Sequence, residues 1–97
     1  MLLDILKEQK EWSQKTFGEG KQTEKICKHI IKELDEVREN PDDLMEWVDV
    51  ILLSLDGAWR AGYSPIEITQ AILEKQHINR DREWVHKENE PSEHKRL

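Results

Sequence analysis

Four carboxylates fall into two pairs at the same spacing, Glu33 with Glu36 and Glu46 with Asp49. Residues three apart are neighbours on one face of a helix, so each pair would present two acidic groups side by side. Laid out at about 100° per residue, Ile26, Ile30, Leu34 and Val37, flanked by Cys27 and Ile31, form an apolar stripe. His29, Glu33 and Glu36 lie along one margin of that stripe, and Lys25, Lys28, Lys32, Asp35 and Glu39 fall on the solvated side. In the following segment Leu44, Met45, Trp47, Val48, Val50, Ile51, Leu52, Leu53 and Leu55 leave Glu46, Asp49, Ser54 and Asp56 as the main polar interruptions, the pattern of a central, buried helix. Ionised carboxylates are rarely buried unless they are paired or bind metal. Two such pairs facing a shared interior make an oxygen-only cage, the ligand set that Mg²⁺ or Mn²⁺ prefers. Glu33 and Glu36 alone are more simply read as solvated glutamates on an amphipathic helix. Asp56, four residues before Arg60, reads as its ion-pair partner.

Helices must carry these groups, and the punctuation of the chain predicts four of them. The first covers about residues 3–16 and stops at Gly18-Glu19-Gly20; the second covers about 23–39. Asn40 can cap and Pro41 can open the third, which runs to about residue 61 with Gly62 as its stop. Ser64-Pro65-Ile66-Glu67 combines an N-cap serine, a proline at the first helical position and the glutamate of a capping box, opening a fourth helix to about residue 84. Residues 85–97 are too polar to pack a core and read as a frayed tail beyond a helical domain of residues 1–84. The expected fold is all-α, a compact bundle of about four helices.

At 97 residues a single chain buries a limited core, which favours assembly into a homo-oligomer, a homodimer or homotetramer. The net charge of −6 argues against direct capture of DNA or RNA, whose non-specific binding depends on Lys and Arg neutralising phosphates. A phosphate ligand would therefore need metal bridging. The single cysteine, Cys27, forms no intrachain disulfide, and Met1-Leu2-Leu3-Asp4-Ile5-Leu6-Lys7 lacks the parts of a signal peptide. No apolar run is long enough to span a bilayer, so the expectation is a cytoplasmic protein without a membrane partner.

The string His29-Ile30-Ile31-Lys32-Glu33-Leu34-Asp35-Glu36, followed by Glu46-Trp47-Val48-Asp49, resembles the E-x-x-E and E-x-x-D signature of the MazG-like all-α nucleoside triphosphate pyrophosphohydrolases. Further matches are similar to the phage-associated dATP/dGTP pyrophosphohydrolase branch: Trp12-Ser13, Thr16-Phe17-Gly18, the run from Leu55 to Gly62, and Lys75-Gln76 with Asn79, Arg82 and Trp84. The resemblance covers about residues 9–84. It implies hydrolysis of nucleoside triphosphates to monophosphate and pyrophosphate with Mg²⁺, in a host cytoplasm if the chain is phage-encoded. Two departures stand out: Lys32 occupies a position where many members carry a second glutamate, and the connection between Glu36 and Glu46 is short. Lys32 falls on the solvated side, and the short connection matches the dATP/dGTP branch.

Given a triphosphate, the fourth helix offers Lys75, Asn79 and Arg82 on the stripe begun by Ile68, Ala71 and Ile72, with Lys75 and Arg82 able to offset phosphate charge. The resemblance places Lys75 and Asn79 at phosphate-contacting positions; a helix end emerging into solvent is the competing reading. On the first helix Gln9, Trp12, Ser13 and Thr16 continue the stripe of Leu2, Ile5 and Leu6. Trp12 and Phe17 could stack on a base and Gln9 could read its edge, against plain apolar packing of the two aromatics. Trp47, Trp59 and Trp84 suit core or subunit packing. His29, one turn before Glu33, could bond a ligating carboxylate or the substrate.

The expected chemistry is metal-assisted hydrolysis with Glu33, Glu36, Glu46 and Asp49 as ligands, one of them, a glutamate of the first pair foremost, acting on the attacking water. A catalytically inactive helical module that binds nucleotides or regulates is the alternative. Glu74-Lys75-Gln76-His77 also has the E-x-x-H spacing of a di-iron bundle, but such sites need two copies and the chain has one.

Overall fold

A computed structural model describes residues 1–89, with side chains through Arg82. It consists of α1 (Leu2–Phe17), α2 (Thr23–Glu39), α3 (Leu44–Arg60) and α4 (Pro65–Asn89), with no strand among the described residues. The all-α class and the four helices expected from the sequence are therefore observed. No helix among the described residues is long and apolar enough to cross a membrane.

Each boundary has a local cause. Gly18 and Gly20, at φ of 88° and 92°, take left-handed conformations that side chains disfavour, and α1 ends there. The start of α3 differs from expectation. Pro41 does not open the helix but sits second in a turn closed by the Asp43 N–H donating to the Asn40 carbonyl (3.1 Å). Asp43 is the cap, accepting from the Met45 N–H at 3.0 Å, and the helix begins at Leu44. At the other end Gly62, φ 114°, donates to the Trp59 carbonyl and stops α3. The capping box forms as read: the Glu67 N–H donates to Ser64 Oγ (3.1 Å) and the Ser64 N–H to Glu67 Oε1 (2.9 Å). Helix α4 runs five residues past the expected end, through Asn89; of the expected tail, residues 90–97 lie outside the described residues.

Packing centres on α3. Helix α2 lies along it as a hairpin, whereas α1 and α4 pack on α3 and on each other. Leu6, Trp59 and Ile68 form the core cluster at that junction, with Leu55 and Ala58 against it, and Ile26 and Val37 are buried on α2. The expectation that α3 is buried all round is corrected here. Its first half keeps Leu44, Met45, Trp47 and Ile51 exposed. The cause is that the core cluster, to which α1 and α4 contribute, meets only the second half of α3. Compactness is also less than expected: the radius of gyration is 15.8 Å, against about 13 Å for a single domain of this length.

Candidate active site

The α2–α3 hairpin brings the two acidic pairs into one region. Glu33, Glu46 and Asp49 each offer a carboxylate oxygen, and the three atoms lie within 4.8 Å of one another. Glu33 and Glu46 are half-buried and Asp49 is exposed. Glu36, also half-buried, stands outside this cluster, yet its charge reaches Glu46. Partial burial, and then the negative charges of Glu36, Asp43, Asp49 and Glu33, push the Glu46 carboxyl above its ordinary value of 4.5. His29 Nε2 lies 3.3 Å from Glu33 Oε1, the contact anticipated from its place one turn before Glu33.

Beside the carboxylates opens a cleft of about 520 Å³, within the range of small-molecule sites. Glu33 and Asp49 form part of its wall together with His29, Lys25 and Ile26 from α2 and Leu52, Leu53 and Asp56 from α3. From α1 come Gln9, Trp12, Ser13 and Phe17, with Gln22 from the following loop. The rings of Trp12 and Phe17 meet edge to face, 5.5 Å between centroids at 86°, and both remain about half exposed. Gln22 Nε2 donates to the Phe17 carbonyl at 3.1 Å, tying the loop to the end of α1.

Underneath, Arg60 fastens α3 to α1 and to the loop that follows α1. Its side chain is 1% exposed. Nε donates to Asp56 Oδ2 (2.8 Å), Nη1 to the carbonyls of Gly18 (2.7 Å) and Gly20 (3.2 Å), and Nη2 to the carbonyl (3.3 Å) and Oγ (3.0 Å) of Ser13. Ser13 Oγ in turn donates to Asp56 Oδ1 at 2.6 Å. A guanidinium has five N–H donors, and each of the three nitrogens is engaged.

Of the residues singled out in the sequence, Gln9, Trp12, Phe17, Glu33 and Asp49 share this cleft. Lys75, Asn79 and Arg82 lie on α4, whose described residues contribute nothing to the cleft wall. Three polar wall residues were not anticipated, Gln22 in the loop after α1 among them. Asp56 was read as an ion-pair partner only, which it is, but it also faces the cleft. Lys25 is exposed as expected and yet sits at the rim; its position four residues before His29 and eight before Glu33, one row of the helix surface, is the signal that could have found it.

Comparison with known proteins bears on this arrangement. The chain is 41% identical over 91 residues to the Eaa protein of Salmonella phage P22, a match covering 93% of this chain and 28% of that protein. The chain thus spans little more than a quarter of that relative's length. No solved structure gives a significant match. The family model for dATP/dGTP pyrophosphohydrolase matches residues 5–96, nearly the whole length and every element of the cleft, and the chain belongs to that family.

Proposed function

We propose that this protein hydrolyses (deoxy)nucleoside triphosphates, dATP or dGTP foremost, to nucleoside monophosphate and pyrophosphate, with Mg²⁺ as cofactor. The observation that carries the reading is the convergence of Glu33, Glu46 and Asp49 beside a cleft walled further along by Trp12 and Phe17. The donor set fits a hard divalent cation, because every converging atom is a carboxylate oxygen. After partial burial, the repulsion of neighbouring carboxylates also raises Glu46, and such a cation would relieve that repulsion. Bound there, Mg²⁺ supplies charge to offset the triphosphate and lowers the pKa of a water.

The chain's own groups account for the rest. Water attacks the α-phosphorus, the bond from that phosphorus to the α–β bridging oxygen breaks, and pyrophosphate leaves. The role of taking up the water's proton is assigned to Glu36, the half-buried glutamate of the first pair that stands outside the cluster. Lys25 at the rim adds positive charge for the phosphates, a role the sequence suggested for Lys75 and Arg82. Trp12 and Phe17 hold the base, with Gln9 at its edge.

The working unit is proposed to be a homo-oligomer. Large apolar side chains on α2, α3 and α4, among them Ile31, Ile51 and Leu73, are more than half exposed in the single chain, which supports a further covering surface. Sedimentation velocity tests this, and a monomer at micromolar concentration would overturn it. For the activity, the protein is incubated with each of the eight common nucleoside triphosphates and Mg²⁺, and products are separated by ion exchange. Monophosphate and pyrophosphate from dATP or dGTP are expected; no cleavage of any of them, with Mg²⁺ or Mn²⁺, overturns the reading.

A further inference from the structure

We propose that Asp56 is a specificity-determining acceptor, its carboxylate taking a hydrogen bond from a donor on the nucleoside half of the substrate, either a sugar hydroxyl or a base N–H. The inference rests on the nucleotide reading of the cleft and adds a residue to it.

Placement comes first. Asp56 follows Asp49 by two turns on α3, which is about 10 Å along the axis, and both line the same cleft. With the phosphates held at the Glu33–Asp49 end, the Asp56 end receives what is attached to them. At that end Ser13 of α1 bonds Asp56, and Trp12 and Phe17 of the same helix line the same cleft.

Chemistry comes second. Each carboxylate oxygen can accept two hydrogen bonds. Oδ1 takes one from Ser13 Oγ and Oδ2 one from Arg60 Nε, which leaves acceptor capacity on a side chain that is 16% exposed. An ionised carboxylate accepts and does not donate, so it favours ligands that carry an N–H or O–H at that point.

Preorganisation comes third. Arg60 is fully engaged and buried, and the Ser13 hydroxyl is held between it and Asp56, so the acceptor is fixed before any ligand arrives. An acceptor fixed in this way discriminates strongly, because a ligand lacking the donor leaves it partly desolvated and unmatched.

The test varies the ligand on the unmodified protein. Affinities of dATP, dGTP, their 2′,3′-dideoxy forms, dITP and the triphosphate of unsubstituted purine deoxyriboside are measured by calorimetry with Ca²⁺, and turnover with Mg²⁺. Removal of the contacting donor is expected to weaken binding at least about tenfold, the scale of a hydrogen bond to a charged group. Loss with the dideoxy forms assigns the sugar hydroxyl; loss with dITP or the purine assigns the base. In Asp56→Asn, with retained folding checked by circular dichroism because Arg60 loses its counter-charge, the same analogue should lose its penalty. Tight binding and turnover with a flat analogue series, within twofold throughout, overturns the role of Asp56 alone. Binding that tracks the donor without turnover supports Asp56 and overturns the hydrolase reading. No binding of any triphosphate overturns both.

Discussion

Replacing Arg60 by alanine should cost this protein a large share of its stability. The side chain is essentially inaccessible and binds Asp56, itself only 16% exposed. Removing one partner of a buried ion pair typically costs about 3–5 kcal/mol, because the remaining charge is left uncompensated. The lower end applies. Asp56 keeps the Ser13 hydroxyl, and the Gly18 and Gly20 carbonyls belong to exposed residues that water can reach. A loss of about 3 kcal/mol, set against about 5–15 kcal/mol for a typical domain, lowers the melting temperature by about 12–24 °C. Arg60→Lys keeps the charge with fewer, unforked donors and should fall about midway. Circular dichroism at 222 nm during thermal unfolding reads both variants, and a cycle with Ser13→Ala, across the α1–α3 contact, should return a coupling of about 0.5–3 kcal/mol. A shift below about 4 °C for Arg60→Ala, or no coupling, would refute the claim that this network holds α1 to α3.

Other consequences are more local. Glu46→Gln and Asp49→Asn should each abolish Mg²⁺-dependent turnover while leaving a folded helical protein; full activity in both would remove the acidic cluster from the mechanism. Because the folded-state value of Glu46 is raised, the folded chain holds that proton more tightly than the unfolded one. Metal-free stability from this group is therefore present at low pH and lost as pH rises through the folded value, and Glu46→Gln should melt higher than wild type at pH 7 without metal. Glu67 behaves oppositely: the Ser64 hydrogen bonds hold its carboxyl below 4.5, so its contribution is present above that value and lost as pH falls through the depressed one. Ser64→Ala should cost about 1 kcal/mol in urea unfolding, and an unchanged midpoint would show that the capping box is idle. Trp12→Ala should raise KM for the nucleotide substrate several-fold with little change in kcat, and the reverse pattern would remove Trp12 from base binding.

The helices could be read from the sequence wherever a boundary depends on local chemistry. Gly18, Gly62 and the Ser64–Glu67 box act on the backbone next to them, and each does what its type dictates. Pro41 misled because proline suits both the first turn of a helix and the second position of a turn; the choice fell to Asp43, whose side chain reaches the Met45 N–H. Spacing suggested that Glu33, Glu36, Glu46 and Asp49 could meet, since the hairpin needs only α2 and α3; Glu33, Glu46 and Asp49 come together, and Glu36 stands outside their cluster. Periodicity could not say which length of α3 is covered, because its apolar residues encircle the helix and leave the neighbours' positions open. Nor could it find Asp56 in the cleft. An i,i+4 ion pair explains the residue fully until Ser13, 43 positions away, is seen against the same carboxylate.

That separation has a kinetic meaning. Helices α2 and α3 meet across a connection of a few residues, whereas Ser13 reaches Asp56 only after a long segment closes, at an entropic cost of about 3 kcal/mol by the loop-length relation. The hairpin carrying the carboxylates can therefore assemble early, and docking of α1 with its aromatic wall comes late. On a chevron plot, substitutions at Ile26 or Val37 should then slow refolding, while those at Arg60 should chiefly steepen the loss of the native state by speeding unfolding.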